Sequence, residues 1–411
     1  MAGADGHAPV DIGRYMEIMR SGNPVPSMDA SESSEGRTES AGRPLDLSPG
    51  AIERRVSVAS EQLHFAVSEH LDDSKELHGF VDEIVGDGAE ALKALSQNDA
   101  KKLATQPGLL ASLEAIVRTD GSRPSFMIRN GEVDLTTSPV GAWKGDIETS
   151  RDLLVKGLQC VGRIDVPGSE QGFEGTGFLI QKNLVMTNRH VLQVIAEKDG
   201  ANHWKIKNGC SIDFGHEFRG TKQYPNRALK SVAFAASDEI DLDAPVNHSN
   251  LDLVLIELSD PATAADNPPV PLGVDIAADW ADLGQTIYTV GYPGRPILGA
   301  NPTTLLEQLF KSTYGCKRLA PGVVVKSKVN VRPWTVTHDA TTLSGNSGSV
   351  ILVVGREQIS AAIHYGGRTA EPRENWGHIL GLTFDGVDAT SGKSLRDCLN
   401  AFDVVFVDRI G

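Results

Sequence analysis

Little in this 411-residue chain points to covalent or metal staples. Its four cysteines, Cys160, Cys210, Cys316 and Cys398, lie far apart and form no CxxC pair. That disfavours a zinc ribbon or a thioredoxin-type redox site. The histidines show no ligand spacing such as HExxH, so neither metal nor cofactor is expected. Positive charge is also short, with 39 Lys+Arg against 54 Asp+Glu and a formal net charge of −15. A phosphate binder needs clustered cations to displace counterions, and no basic stripe is present. No nucleic-acid partner is therefore expected. No apolar run approaches ~18 residues, so no membrane-spanning helix is expected either. The opening MAGADGHAPVDIGRYMEIMR lacks a basic segment followed by an apolar one, which argues against a cleaved secretion signal. Sparse cysteine without that signal predicts reduced thiols and a cytoplasmic setting.

What is abundant is glycine, with 42 residues. That leans toward a turn-rich, β-heavy fold. Apolar residues are 40% and charged residues 23%, an ordinary soluble composition. The length suits one large domain plus a smaller one, with a core that needs no disulfides.

Residues 1–47 are expected to be a disordered tail, because SGNPVPSMDASESSEGRTESAGRP cannot bury enough apolar area to offset ordering entropy. A short helix over Val10–Met19 is the one element allowed there. Ser48-Pro49 then reads as an N-cap followed by proline at the first helical position. Ile52, Val56, Ala59, Leu63 and Val67 recur at helical spacing. Leu77, Val81, Ile84 and Val85 mark a second helix, Asn98 or Asp99 caps a third, and Leu109, Leu113, Ile116 and Val117 mark a fourth. The segment 48–123 is therefore a small helical region, suited to regulation or docking. Residues 124–154 connect it to the rest of the chain. From about residue 124 short β-runs alternate with Gly, Pro and Asn turns: SFMIRNGEVDL, GTGFLI, NLVMT, LDLVLIEL, TIYTVGYPG, GVVVKSKV, SVILVV, ISAAIHY, ILGLTF and VVFV. Such runs without regular helices between them predict an antiparallel barrel or sandwich.

Three segments carry chemistry. They are Gly175–Ile180 running on to Thr187-Asn-Arg-His190-Val191, Asn250-Leu-Asp252-Leu-Val-Leu-Ile-Glu-Leu258, and Leu343-Ser-Gly345-Asn346-Ser347-Gly348-Ser349. A serine hydroxyl is a poor nucleophile unless a base sits within hydrogen-bond reach, and that base needs an acceptor to orient it. His190 is expected to end a β-run, Asp252 to begin one, and Ser347 to sit in a glycine-flanked turn. Asp241 and Asp243, in the preceding polar loop, compete with Asp252 for the acid's role. The N–H groups of Gly345 and Ser347 are the natural pair of oxyanion donors, since Gly345 tolerates backbone angles that a Cβ resists. His203, His216, His248 and His338 read as surface or loop residues.

The order His, Asp, Ser, carried by GTGFLI, TNRHV, DLVLIEL and GNSGS, resembles the trypsin-like (chymotrypsin-fold) serine peptidases. The bacterial glutamyl-endopeptidase and HtrA-like branches are nearest, over roughly residues 155–400. The resemblance implies His190 as general base and acid, Asp252 as its orienter and Ser347 as nucleophile. It implies a mainly β fold of two six-stranded antiparallel β-barrels with the cleft between them, here a peptidase domain over 155–411 preceded by the small α-helical region. GYPG at 291–294 fits the same branches. An α/β-hydrolase is excluded, because there the serine comes first and sits in GxSxG.

In the glutamyl-endopeptidase branch a threonine and a histidine bind the substrate's P1 carboxylate, the side chain before the scissile bond. Thr342 and His364 match those positions, which predicts cleavage after Glu or Asp in a protein or peptide substrate. Thr341 stands where a trypsin-like pocket would need an aspartate. Asn346 replaces the aspartate that pairs with the new N-terminus in digestive enzymes, so that activation switch is absent. No cysteine lies near His190 to form the disulfide of secreted members, and the end at 411 leaves no room for a PDZ domain. An active intracellular protease needs restraint, so an activating or inhibiting partner is expected to act through residues 48–150. The competing reading is a catalytically silent protease fold that serves as a binding or scaffold protein.

Overall fold

The computed structural model describes residues 10, 12–21, 45–70, 75–136, 138, 140–199, 203–221, 224, 226–261, 269–294, 314–342, 345–368 and 374–408. Helices come first: α1 (Ile12–Ser21), α2 (Pro49–His70), α3 (Lys75–Ser96), α4 (Ala100–Thr105) and α5 (Pro107–Thr119). The sequence signals explain their ends. Ser48 Oγ accepts the Ala51 N–H ahead of α2, and Asp99 accepts the Lys102 N–H to cap α4. The predicted stripe of α2 is the buried one, with Ile52, Ala59, Leu63 and Val67 each 6% exposed or less. Ile52 and Ala59 share a separate core with Leu92, Leu95, Leu113 and Ile116.

The segment 1–47, expected to be a disordered tail, contributes α1 to that core. Tyr15 and Met19 are buried among the α2 and α5 side chains. Apolar residues at 12, 15 and 19 give α1 one face to bury, which the composition of the whole segment hides. The low-complexity stretch after α1 lies outside the described residues.

The connecting segment is structured. Strands β1 (Phe126–Arg129) and β2 (Glu132–Asp134) form a hairpin. Asn130 and Gly131 turn it, both with positive φ, as a type I′ turn requires. Helices α6 (Lys144–Thr149) and α7 (Arg151–Gln159) then lead into the first barrel. Its strands are β3 (Val161–Asp165), β4 (Phe173–Gln181) and β5 (Leu184–Thr187). Helix α8 (Arg189–Ile195) and the small strands β6 (Ala196–Lys198) and β7 (Trp204–Ile206) intervene. Then come β8 (Ser211–Asp213), β9 (Arg227–Ala235) and β10 (Val254–Leu258). Strands β10-β5-β4-β3-β8-β9 close into an antiparallel barrel filled by Phe178, Val185, Leu255 and Ile256, among others.

The second half contains β11 (Gly273–Asp275), β12 (Thr286–Gly291), β13 (Arg318–Val323), β14 (Thr335–His338), β15 (Val350–Val353), β16 (Ile359–Ser360), β17 (Ala362–Arg368) and β18 (Glu374–Ile379). Helix α9 (Leu395–Ala401) and β19 (Phe406–Val407) finish the chain. Its main sheet runs β14-β18-β17-β15-β12-β13-β1-β2. The fold is thus mainly β, with one closed six-stranded barrel. Among the described residues the sheet of the second half has eight strands rather than six. The sheet curls until β13 and β14 approach. There Val324 bridges His338, and the Val325 N–H donates to the Thr337 carbonyl at 2.9 Å. The β1–β2 hairpin adds to the outer edge of β13, which takes the sheet beyond six strands.

No helix among the described residues is long and apolar enough to cross a membrane. All four cysteines are buried free thiols, and burial pushes the Cys160 thiol up to about 12. At neutral pH, fewer than about one thiol per chain should react with a thiol reagent until denaturant unfolds the protein, and reductant should leave Tm unchanged. Fast labelling of two or more thiols in the folded chain would contradict this packing.

Candidate active site

The expected strand end at His190 is instead the first turn of α8, one residue past its start. Asn188 precedes the helix in extended conformation, and its Nδ2 donates to the Asp252 carbonyl at 2.8 Å. Arg189 is fully buried and stacks over Trp204, 4.5 Å from guanidinium carbon to ring centre. These contacts fix the helix start and so the His190 ring.

His190 and Asp252 clasp each other twice. The His190 N–H donates to Asp252 Oδ1 at 2.9 Å, and the ring Nδ1 meets Oδ2 at 2.6 Å. A proton on Nδ1, donated to the carboxylate, leaves Nε2 as the basic nitrogen. Behind Asp252, its own N–H donates to His378 Nε2 at 3.0 Å. Burial alone would raise the Asp252 carboxyl; the neighbouring His190 and its hydrogen bonds outweigh that and hold it below the ordinary carboxylate value. Asp241 and Asp243 lie exposed in the loop before Asp252, where the Asp243 N–H donates to Asp241 Oδ1, and the His190 ring is hydrogen-bonded to Asp252. The same loop walls a cavity of about 240 Å³ beside His190, lined by Ile240, Leu242, Val246 and Tyr365.

The Ser347 turn is built by glycine. Gly345 and Gly348 have φ of +89° and +84°. A Cβ on Gly348 would sit 2.0 Å from the Thr176 carbonyl oxygen, so no other residue fits there. Thr176, on β4, ties the turn down. Its N–H donates to the Ser347 carbonyl at 2.8 Å and its Oγ1 to the Gly345 carbonyl at 3.1 Å. On the far side the Gly348 N–H donates to the His364 carbonyl at 3.0 Å. The N–H groups of Gly345 and Ser347 have no acceptor among the described residues. No hydrogen bond joins the Ser347 hydroxyl to His190 in this unliganded structure.

Thr342 and His364 lie on either side of this turn in sequence. Thr342 Oγ1 donates to Asn375 Oδ1, and Asn375 Nδ2 donates to the Ala340 carbonyl at 2.8 Å. His364, on β17, is 4% exposed. Its Nδ1 is buried without a hydrogen-bond partner among the described residues. Burial, then the neighbouring His338 and His190, lowers its pKa well below the ordinary value. His338, read from sequence as a loop residue, is fully buried on β14, its ring centre 5.6 Å from that of His364. His248 is half-buried, its Nδ1 2.7 Å from the Tyr365 hydroxyl. Sequence reasoning missed His378 and Asn375, since neither sits in a motif; only the fold brings them to the site. Among the described residues, no three His, Cys, Asp or Glu side chains are grouped to hold a metal ion.

Residues 175–356 match the family of the trypsin-like peptidase domain. This stretch is a trypsin-like peptidase domain. A probable serine protease of Lysobacter enzymogenes is 28% identical over 276 residues, which are 63% of this chain and 70% of that protein. The chain is accordingly a serine-type peptidase. Partial structural likeness extends to a Glu endopeptidase, at 19% identity and TM-score 0.37, over 59% of this chain and 90% of the other. It extends also to the Rv3671c protease in its inactive form, at 16% and 0.33, over 61% and 92%. The peptidase domain matched by the family spans the His190, Asp252 and Ser347 segments and stops before His364.

Two buried histidines make the peptidase sensitive to acid. His364 is held well below its ordinary pKa, and burial lowers His378 to about 4. Both are neutral when folded but take up protons when unfolded below about pH 6.5. Stability is therefore lost as pH falls from 6.5 toward the folded values, at about 1 kcal/mol per pH unit for each histidine. Urea unfolding between those limits should show this slope, and His378→Gln should reduce it; a flat profile would contradict neutral burial.

Proposed function

We propose that this peptidase is an endopeptidase working through Ser347, His190 and Asp252. The observation that carries the reading is the double clasp of Asp252 on His190, set beside a turn whose Gly345 and Ser347 amides are unpaired among the described residues. In this mechanism His190 Nε2 takes the Ser347 hydroxyl proton as Oγ attacks the scissile carbonyl. The two amides stabilise the oxyanion, and an oxyanion donor is worth roughly 10²–10³ in rate. His190 then passes its proton to the leaving amine, and water, activated by the same ring, hydrolyses the acyl-enzyme. Asp252 keeps the ring in the right tautomer and offsets its charge. The missing Ser347–His190 bond is consistent with this scheme, because catalytic hydrogen bonds often tighten only when substrate binds.

Thr342 and His364 support a preference for Glu or Asp before the scissile bond. A neutral His364 serves such a carboxylate as an N–H donor, and the Thr342 hydroxyl joins it by exchanging its bond to Asn375 Oδ1 for one to the substrate. The orphaned Nδ1 of His364 is a polar atom in need of a partner. Four buried, unpaired thiols suit a reducing compartment, and on that ground we assign an intracellular setting. Restraint of such an enzyme falls to the helical unit ahead of the barrel or to a protein bound there. The alternative, a silent scaffold on a protease fold, is favoured only by the open Ser347–His190 pair.

A fluorophosphonate probe separates the two. Wild type should label at Ser347, and labelling should vanish in Ser347→Ala; wild type that never labels is a scaffold. Ser347→Ala and His190→Ala should each lower kcat roughly 10⁴- to 10⁶-fold, and Asp252→Asn about 10⁴-fold. A peptide-library digest should show Glu or Asp at P1. Because His364 stays neutral, that preference should hold flat between about pH 6.5 and 8. Basic or large apolar P1 residues, or a preference that fades through pH 6.5, would overturn the pocket assignment.

A further inference from the structure

Arg123 lies just past α5, where the chain leaves the helical unit, and it is 2% exposed. Its guanidinium holds Asp339 by two bonds, Nε to Oδ1 at 2.9 Å and Nη2 to Oδ2 at 2.5 Å. Its main-chain carbonyl accepts the Thr341 hydroxyl at 2.8 Å. These two grips straddle Ala340. They fix three consecutive residues that run directly into Thr342 and the Ser347 turn. Asp339 Oδ1 also accepts the Val323 N–H at 2.8 Å, which anchors the same carboxylate to β13.

The other edge of the guanidinium reaches back to the N-terminal helix. Nη1 donates to the Ile18 carbonyl at 3.1 Å and to the Ser122 carbonyl at 2.6 Å. Arg55 makes parallel contacts. Its Nη2 donates to the Met19 carbonyl at 3.2 Å, and its Nη1 bonds Asp120 and the Ser122 hydroxyl. Two arginines therefore close the carbonyl end of α1, where the helix carries partial negative charge. The anchor of α1 is apolar, with Met19 fully buried and Tyr15 3% exposed.

We infer that Arg123 is a positioning residue that couples docking of α1 to the substrate-facing wall at 339–342. A bidentate arginine–carboxylate pair is geometrically strict, and Lys cannot reproduce it. The pair is buried, so Asp339 without Arg123 is a carboxylate stripped of both water and partner. The Arg123 side chain keeps its orientation while Nη1 has the Ile18 carbonyl to bond. With α1 docked, the wall is fixed. With α1 released, the guanidinium turns toward water and 339–342 loosens. The helical unit thereby acts on substrate selection from a distance, with no contact to Ser347. This rests on the reading that Thr342 faces the substrate.

The test uses the full chain and three variants: Arg123→Gln, Arg123→Lys and Met19→Glu, the last releasing α1 with Arg123 intact. Amide hydrogen exchange over 339–349 should rise about tenfold or more in Arg123→Gln and Met19→Glu, with the closed barrel unchanged. For a Glu-P1 peptide, KM should rise about tenfold while kcat and fluorophosphonate labelling of Ser347 stay within about threefold. Arg123→Lys should fall between wild type and Arg123→Gln. Unchanged exchange at 339–349 in either Arg123→Gln or Met19→Glu overturns the coupling. So does a uniform loss, with barrel exchange, labelling and KM all moving together, since a merely structural pair gives that pattern. If wild type neither labels nor cleaves, the peptidase mechanism through Ser347 fails, while the exchange measurement still decides the coupling.

Discussion

Thr176 is the pin between the two halves of the peptidase. It is fully buried on β4 of the closed barrel, and its N–H and hydroxyl are both used across the junction. Its N–H and hydroxyl donate to the Ser347 and Gly345 carbonyls. Its hydroxyl oxygen accepts the Tyr292 N–H at 3.0 Å. Its carbonyl accepts the Thr187 hydroxyl at 2.6 Å, just before the His190 helix. One residue thus fixes the proposed nucleophile's turn, the GYPG strand end and the approach to the proposed base. A serine would keep the hydroxyl, but a valine would leave the Gly345 carbonyl and the Tyr292 N–H orphaned in the interior.

This junction explains the first glycine of the GTG segment, Gly175. A Cβ at Gly175 would lie 2.9 Å from the Val191 side chain and 3.1 Å from the Ser347 carbonyl oxygen. Thr176 can reach the turn only because its neighbour has no side chain. The proposed catalytic groups are therefore set by backbone contacts between sheets, and the side chains themselves carry little of the positioning. His190 is the exception. Its ring depends on Asp252, which depends in turn on Asn188 and His378.

The motifs read from sequence name residues whose chemistry is local: a histidine after TNR, an aspartate before an apolar strand, a serine between glycines. The fold brings the first two into contact and sets the third in the adjoining turn. The helical unit is legible too, because Ile52, Ala59, Leu63 and Val67 repeat with the helix period and Asp99 can cap. Less legible are features that need distant partners. The helix at Arg189–Ile195 is hidden because RHVLQVI reads equally as a strand. Arg123 and Asp339 are 216 positions apart, and nothing in GSRPSF or VTHDATT marks either as half of a buried pair. His338 reads as a loop residue because one histidine beside an aspartate carries no sign of the sheet register that buries it against His364.

Charge shows the same limit. The net −15 gives no hint of the proposed pocket, for which the candidate groups include histidines that burial keeps uncharged. An acid-binding pocket in an acidic protein cannot draw on the overall field, which repels the carboxylate before it arrives. It has to rely on short-range N–H and O–H donors that are already in place. Such donors lose their value if they move by an ångström, because hydrogen bonds weaken steeply with distance and angle. The need for rigidity falls on the segment 339–342, and that segment's outward face is held by Arg123. In the proposed reading, control of a neutral, donor-based pocket belongs to the ion pair between Arg123 and Asp339.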